Sequence, residues 1–456
     1  MVRYRVVNVI PADASSESND DFQPCLAVDP GLPSAMVVTA YSPAQSSARG
    51  SAPYFLSEDG GENWQALSNI PRRGSHNQTC VFVGSAATRG AGPAGALYVA
   101  MVPDDQNSSE LVVYRFQTAT AQGSRVYYLQ SGADQPWVDG VTVASGPDAG
   151  KERLYVGYNL LGDVAEGRTA RLAVCLDAHP SGNAPPVFST IVLDRHAPSP
   201  ADDTPVRTAI HGGVGHIFVA FKSLISYDPD TQRSRASLIV VRDDNWGQGS
   251  TEVGPFEALK DSATVPGVVV SSVDLLNRGN TLLGVRSSCD LSIAVDPRGG
   301  ANAARVVYVA WTSNDDAANP SRYVLHVSRS TDAGVTWTLI LSVTDATLPS
   351  MAVNAAGVVG LLYQKVVAGS SPVETHFQRF AGTSWDDRVL ARTAAPTNFA
   401  SDLSRVVGVG ANFYGCFPAM NSPDPDGHYF LPGGGGAVRF QRPASVDPFF
   451  FAVEES

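Results

Sequence analysis

Apolar residues along this chain gather in short runs parted by turns bearing Gly, Pro or Asn, and one such run keeps returning. It consists of an aromatic or aliphatic residue, a small one, then a bulky apolar one. The copies read Val38-Thr39-Ala40-Tyr41, Tyr98-Val99-Ala100-Met101, Tyr155-Val156-Gly157-Tyr158, Phe218-Val219-Ala220-Phe221, Tyr308-Val309-Ala310-Trp311, Gly360-Leu361-Leu362-Tyr363 and Tyr414-Gly415-Cys416-Phe417. Their starts are spaced by roughly 55 residues outside one longer gap, the mark of a repeat architecture. The third position is Ala, Gly or Cys in six of the seven copies, as expected where a neighbouring sheet crowds in. A second apolar run precedes each phrase, often introduced by a polar residue and Pro, as at 23–29, 134–139, 204–210, 290–296 and 348–353. Further runs follow at 111–114, 172–175 and 237–241. Each run reads as a strand, and about four strands per repeat make one propeller blade.

The pattern predicts an all-β fold: a seven-bladed β-propeller of four-stranded antiparallel blades, with six or eight blades as alternatives, in a single domain over 1–456. The alternating strand at 4–10 is expected to share a blade with 436–440 and close the ring, so that few strand edges stay open. The longer gap predicts an insertion at about 227–285, whose Val-rich stretch 265–273 would supply an extra hairpin. Long insertions on regular scaffolds are often lids or binding loops.

Composition narrows the functions. Charged residues make up 17% of the 456, while 42 Gly and 31 Pro give a turn-rich β character. A net charge of -12 argues against nucleic acid, whose binders cluster Lys and Arg, and against an anionic membrane surface. No apolar stretch reaches the roughly 18 residues of a membrane span. The first ten residues lack the apolar core of a secretory signal. The compartment is therefore expected to be cytoplasmic, or extracellular if a signal has been removed. Five cysteines, Cys25, Cys80, Cys175, Cys289 and Cys416, are too scattered for a disulfide scaffold. Cys25 and Cys80 fall at matching places in neighbouring repeats, where a bridge or shared metal is conceivable and buried free thiols are the plainer expectation. No Cys/His spacing suits zinc, and no metal or cofactor is expected. The segment 424–428 (Asp-Pro-Asp-Gly-His) reads as a turn, since no calcium-loop pattern surrounds it.

Two segments are more specific. Ser57-Glu58-Asp59-Gly60-Gly61-Glu62-Asn63-Trp64 and Ser330-Thr331-Asp332-Ala333-Gly334-Val335-Thr336-Trp337 share Ser-x-Asp-x-Gly-x-x-Trp at matching distances after a phrase. The Asp carboxylate and Ser hydroxyl suit the N–H groups of a tight hairpin, Gly takes its unusual dihedrals, and Trp packs between sheets. The motif resembles the Asp-box of bacterial neuraminidase-type (BNR) repeats found in sialidase-like propellers. That resemblance implies structural roles for Ser57, Asp59, Gly61, Trp64, Ser330, Asp332, Gly334 and Trp337, on outer hairpins away from any substrate.

The resemblance also implies a site with three arginines for a sugar carboxylate, a Tyr nucleophile helped by a Glu, and an Asp as acid/base. Arg5, in Tyr4-Arg5-Val6-Val7, is the nearest match to the family's first arginine and lacks its Pro. Tyr414 with Glu374 would mimic the Tyr/Glu pair. Residues leading into the innermost strands crowd the axial opening of a propeller. By that geometry Asp21, Gln23, His76, Asn77, Gln78, Asp134, Trp137, Asp203, Arg207, Arg286, Asp290 and Arg405 form a polar funnel, or else serve as turn residues and strand caps. Asp134 or Asp203 would act as the acid if burial raised its pKa; Trp137 would stack on a pyranose or pack in the core. Three functions stay open: glycan binding without chemistry, a glycoside hydrolase or polysaccharide lyase, and a non-catalytic propeller docking a protein partner.

Overall fold

Side chains alternate across a strand, and here both faces of the inner strands are apolar, so each sheet must bury one face against each neighbour. The computed structural model describes residues 2–11, 21–41, 52–70, 75–83, 96–103, 110–129, 132–160, 169–180, 184–194, 205–248, 256–262, 265–276, 290–298, 305–314, 322–367, 372–394, 403–421 and 445–455. They build seven four-stranded antiparallel sheets. The innermost strands are Phe22–Val28, Ser75–Val83, Ala133–Thr142, Val206–His211, Leu291–Val295, Ala346–Val353 and Arg405–Val409. Each packs beside the next, and the seventh returns to the first, which makes a seven-bladed propeller.

The recurring phrase lies on the second strand of every blade. Its small third residue has the reason the pattern suggests. A Cβ added at Gly157 would lie 2.8 Å from both the Val206 Cγ1 and the Val206 carbonyl oxygen, on the inner strand of the next blade.

Seven apolar cores fill the spaces between blades. Cys25 and Ala27 face the second blade beside Cys80 and Phe82, whereas the alternate residues Leu26 and Val28 face the seventh beside Cys416 and Phe450. Burying one such Leu or Phe contributes about 1.5–3 kcal/mol, so the ring is held by its blade-to-blade seams.

Closure uses the N-terminal strand. Val2–Asn8 is the outermost strand of the seventh blade and pairs with Val446–Glu455, from Val2 opposite Glu455 to Asn8 opposite Phe449. Residues 436–440, expected beside it, lie outside the described residues. In the fourth blade much of the stretch 227–285 is regular blade. The strands His216–Asp228 and Arg233–Asp243 are simply long, and Val268–Leu276 is the outer strand. The addition includes a two-stranded pair, Lys260–Ser262 with Val265–Pro266.

Candidate functional site

The inner strands do not enter the ring straight. Those of the first, second, third and sixth blades carry a bulge, between Phe22 and Cys25, His76 and Thr79, Asp134 and Trp137, and Thr347 and Ser350. Gln23, Gln135 and Leu348, each followed by Pro, take left-handed φ values of 53°, 52° and 58°. A bulge bends its strand and re-aims the next side chain. In three of these blades that side chain reaches across to the following blade. Thr79 Oγ1 accepts the Val138 N–H at 3.0 Å, Ser350 Oγ the Val406 N–H at 2.9 Å, and Cys25 Sγ the Cys80 N–H at 3.2 Å. Ser292 of the fifth blade does the same for the Met351 N–H at 2.9 Å.

At the equivalent place the third blade carries Trp137, and the seventh begins its inner strand with Arg405. The Arg405 and Arg207 guanidinium carbons lie 4.5 and 4.6 Å from the Trp137 ring centroid, a stacking that favours cations. The half-buried ring is thus engaged by two guanidinium groups in an internal cation–π assembly, nearer to the packing alternative than to a free stacking platform. Asp139, two residues on and on the same strand face, ties the group together. It accepts the Trp137 indole N–H at 2.8 Å and the Thr208 hydroxyl at 2.5 Å, and it pairs with Arg405. Arg405 also donates to the Val138 carbonyl at 3.2 Å. Burial works against the Arg405 cation, and the Asp139 carboxylate opposite restores it, leaving its pKa above the ordinary value.

Beside this assembly a narrow cleft is lined by Trp137, Arg207, Asp290, Ser292, Ser350 and Ser404 together with Leu291, Leu348, Pro349 and Leu403. Its free volume of about 10 Å³ is what one water needs. Asp290 Oδ2 accepts the Leu348 N–H at 3.1 Å and the Thr347 hydroxyl, so the sixth-blade bulge aims two donors at a fifth-blade carboxylate. Burial raises the Asp290 pKa, against the pull of Thr347 and of the nearby Lys222 cation.

The remaining expectations divide. Asp21, Gln23, Gln78, Arg207, Asp290 and Arg405 are all buried at or beside the inner strands, and of these Arg207 and Asp290 line the cleft. Gln78, for example, donates to the Ala40 carbonyl at 2.7 Å. Asp134 is half-buried and its Oδ1 accepts the Gln135 N–H at 2.8 Å, a local contact within the bulge. Asp203, Arg286, Cys289 and the segment 424–428 lie outside the described residues, as do the side chains of His76 and Asn77. Asp139, Thr208, Thr347 and Ser404 were not anticipated. Of these Asp139 alone left a signal, its alternation with Trp137.

Arg5 and Tyr414 take the plainer of the places open to them, strand and core. Arg5 sits at the periphery: it donates to the Gly60 carbonyl at 2.6 Å and pairs with Glu62 at 3.1 Å and Glu454 at 3.7 Å, because its strand is the outer edge of the closing blade. Tyr414 packs in the seam between the seventh and first blades, while Glu374 pairs with His376 at 3.2 Å in the sixth. They form no Tyr/Glu pair.

The two Ser-x-Asp-x-Gly-x-x-Trp segments form hairpin turns between third and fourth strands. In the first, Ser57 donates to Asp59 Oδ1 at 2.9 Å and accepts the Gly61 N–H at 2.8 Å, and Asp59 accepts the Glu62 and Asn63 N–H groups, each at 3.0 Å. In the second, Ser330 accepts the Gly334 N–H at 2.8 Å, and Asp332 accepts the Thr336 N–H at 2.9 Å and its hydroxyl at 2.6 Å. Among the described residues no group of three or more His, Cys, Asp or Glu side chains is placed to hold a metal, and no helix is long and apolar enough to cross a membrane.

No family model and no curated protein sequence matches the chain. Solved structures similar to it include an α-L-arabinofuranosidase of Fusarium graminearum with arabinobiose, at 11% identity over 97% of this chain and 96% of that one, TM-score 0.44. Another is an α-L-arabinanase of Penicillium chrysogenum complexed with arabinobiose, at 15% identity over 82% and 93%, TM-score 0.44. A third is the endosialidase of phage phi92, at 9% identity over 99% and 69%, TM-score 0.43. At these identities and TM-scores the likeness assigns no residue of this chain a role.

Proposed function

We propose that this chain engages carbohydrate at the axial cleft, as a glycan-binding protein or a glycoside hydrolase. The observation that carries the reading is the composition of that cleft: one guanidinium, one carboxyl group and three serines meet where inner strands converge. A guanidinium donates in a planar fork that suits a carboxylate or vicinal hydroxyls, and a buried carboxyl group beside it accepts or donates as its protonation dictates. Because the cleft holds about one water, the bulk of a sugar would lie at its mouth, with one polar or anionic group reaching inward. Arg207 is the residue to receive that group, and Asp290, its pKa raised by burial, is the one to exchange a proton. By their place in the sequence just ahead of or at the start of inner strands, Asp134 and Asp203 are the alternative acids of this proposal, and Asp21, Gln23, His76, Asn77 and Arg286 its further candidate contacts.

The test is a glycan-array screen run beside hydrolysis of a panel of aryl glycosides that includes an aryl sialoside. Turnover lost in Arg207→Ala and in Asp290→Asn, with folding intact by circular dichroism, is the result expected of an enzyme. Binding without turnover, weakened by the same substitutions, identifies a lectin. Silence in both assays rejects the carbohydrate reading in favour of a scaffold that docks another protein.

A further inference from the structure

Among the described residues, four inner strands use one side chain to accept an N–H from the next blade: Thr79, Ser292 and Ser350 do so with hydroxyls and Cys25 with sulfur. A thiol is the poorer acceptor, so the seam alone does not call for it. The residue whose N–H it receives is itself a cysteine, and the contact is reciprocal: the Cys80 thiol donates to the Cys25 carbonyl at 3.1 Å. Cys25 Sγ lies 3.8 Å from the Cys80 carbonyl oxygen. Each sulfur therefore rests against the backbone of the other cysteine, across the seam between the first and second blades, and both thiols are free.

We propose that Cys25 and Cys80 are a redox pair that forms a disulfide stapling the first blade to the second at the axis. With hydrogen peroxide as oxidant the step balances in two stages. The Cys25 thiolate attacks one peroxide oxygen, breaking the O–O bond and releasing hydroxide, to give a sulfenic acid. The Cys80 sulfur then displaces the sulfenic oxygen, which leaves as water with the thiol proton, and the S–S bond closes. The two sulfurs lose two electrons and the peroxide gains them.

The direction of attack follows from the surroundings. Arg405 places a guanidinium N–H 3.9 Å from Cys25 Sγ. Burial alone would raise the Cys25 pKa, yet contact with Cys80 and the Arg405 charge bring it below the ordinary thiol value, whereas burial pushes Cys80 up. Cys25 is thus the nucleophile and Cys80 the resolving thiol. Cys416 is the nearby competitor: it shares a core with Leu26 on the other face of the strand, and burial raises its pKa.

The reduced protein is exposed to hydrogen peroxide, unfolded, alkylated and weighed intact, then digested. A parallel sample is refolded in oxidised glutathione, where thiol–disulfide exchange removes the same two electrons without requiring access to a buried seam. Wild type is expected to lose two of its five thiols, become lighter by two hydrogens before alkylation, and yield a peptide linking Cys25 to Cys80. Cys25→Ser keeps the acceptor that Thr79 and Ser350 supply elsewhere, so it should fold and keep its remaining thiols, while Cys416→Ser should still form the link. Five alkylated cysteines in both wild-type samples, or a link made through Cys416 in place of Cys80, overturns the proposal.

Discussion

Asp59 on the rim of the propeller and Asp139 near its axis are both carboxylates that accept several hydrogen bonds, and they do opposite work. Every partner of Asp59 lies within four residues of it, so the carboxylate shapes one turn. The partners of Asp139 come from three blades: Trp137 from its own, Thr208 from the fourth and Arg405 from the seventh. One closes a local ring of hydrogen bonds in water, the other a cross-ring contact out of it. The lesson is that at the rim a side chain's loss is confined to its own turn, whereas at the axis it opens the seams of several blades together.

The largest effect should come from splitting the axial pair. Asp139→Ala leaves the Arg405 cation buried without its counter-ion, a change that costs about 3–5 kcal/mol. Urea denaturation should show this, and the double variant Asp139→Leu/Arg405→Met should recover part of it. A loss below about 1 kcal/mol, the range of an exposed pair, would break the contrast.

Next come the glycines of the first rim turn, which separate strain from crowding. Gly61 has φ +87° and a Cβ there would meet the Phe450 ring at 2.3 Å, while Gly60 has φ +78° and nothing within 4 Å. Gly61→Ala should cost about 2–3 kcal/mol, combining backbone strain with overpacking. Gly60→Ala should cost about 1 kcal/mol from strain alone. Equal losses in thermal melts would remove the packing role of the first turn.

Close to Gly60→Ala in size is Ser57→Ala, which deletes the acceptor of the Gly61 N–H and should cost about 1 kcal/mol, with Ser330→Ala alike. The least effect is electrostatic. Burial alone would raise the Asp59 pKa, but hydrogen bonds from Asn63, Ser57 and Glu62 hold it at about 2. A depressed carboxyl pKa stabilises the fold above the unfolded value of about 4, and that contribution fades as pH falls toward 2. Between those limits Asp59→Asn should flatten the stability–pH curve slightly, and an unchanged curve would deny the carboxylate its share in the turn.

The blades were legible because their causes are local. Alternation, a small residue under a neighbouring sheet and a turn every few residues all leave marks within ten positions. The sixth-blade turn shows the limit of the Ser/Asp motif: Gly382 and Trp385 keep its spacing, but Gln378 and Phe380 stand where Ser57 and Asp59 stand in the first blade. At the axis the candidates Trp137, Arg207, Asp290 and Arg405 were identifiable from their place before the inner strands. Their state was not. Whether they line an opening or pack on one another depends on three-dimensional closure, and Arg405 meets Asp139 across 266 positions, beyond the reach of any local pattern. The neighbours of Arg5 were hidden for the same reason, since its place is fixed by pairing with the far end of the chain.

That pairing also bears on the order of events during synthesis. Residues 2–8 are made roughly 440 positions before their partners, and bringing such ends together costs about 3 kcal/mol more than closing a ten-residue hairpin. Until then the strand carrying Phe449, Phe450 and Phe451 has an open edge, a template on which another copy can pair. Pulse-labelled hydrogen exchange should find 2–8 among the last amides protected during refolding. The final register of the propeller is thus a competition between its own first strand and any stranger's.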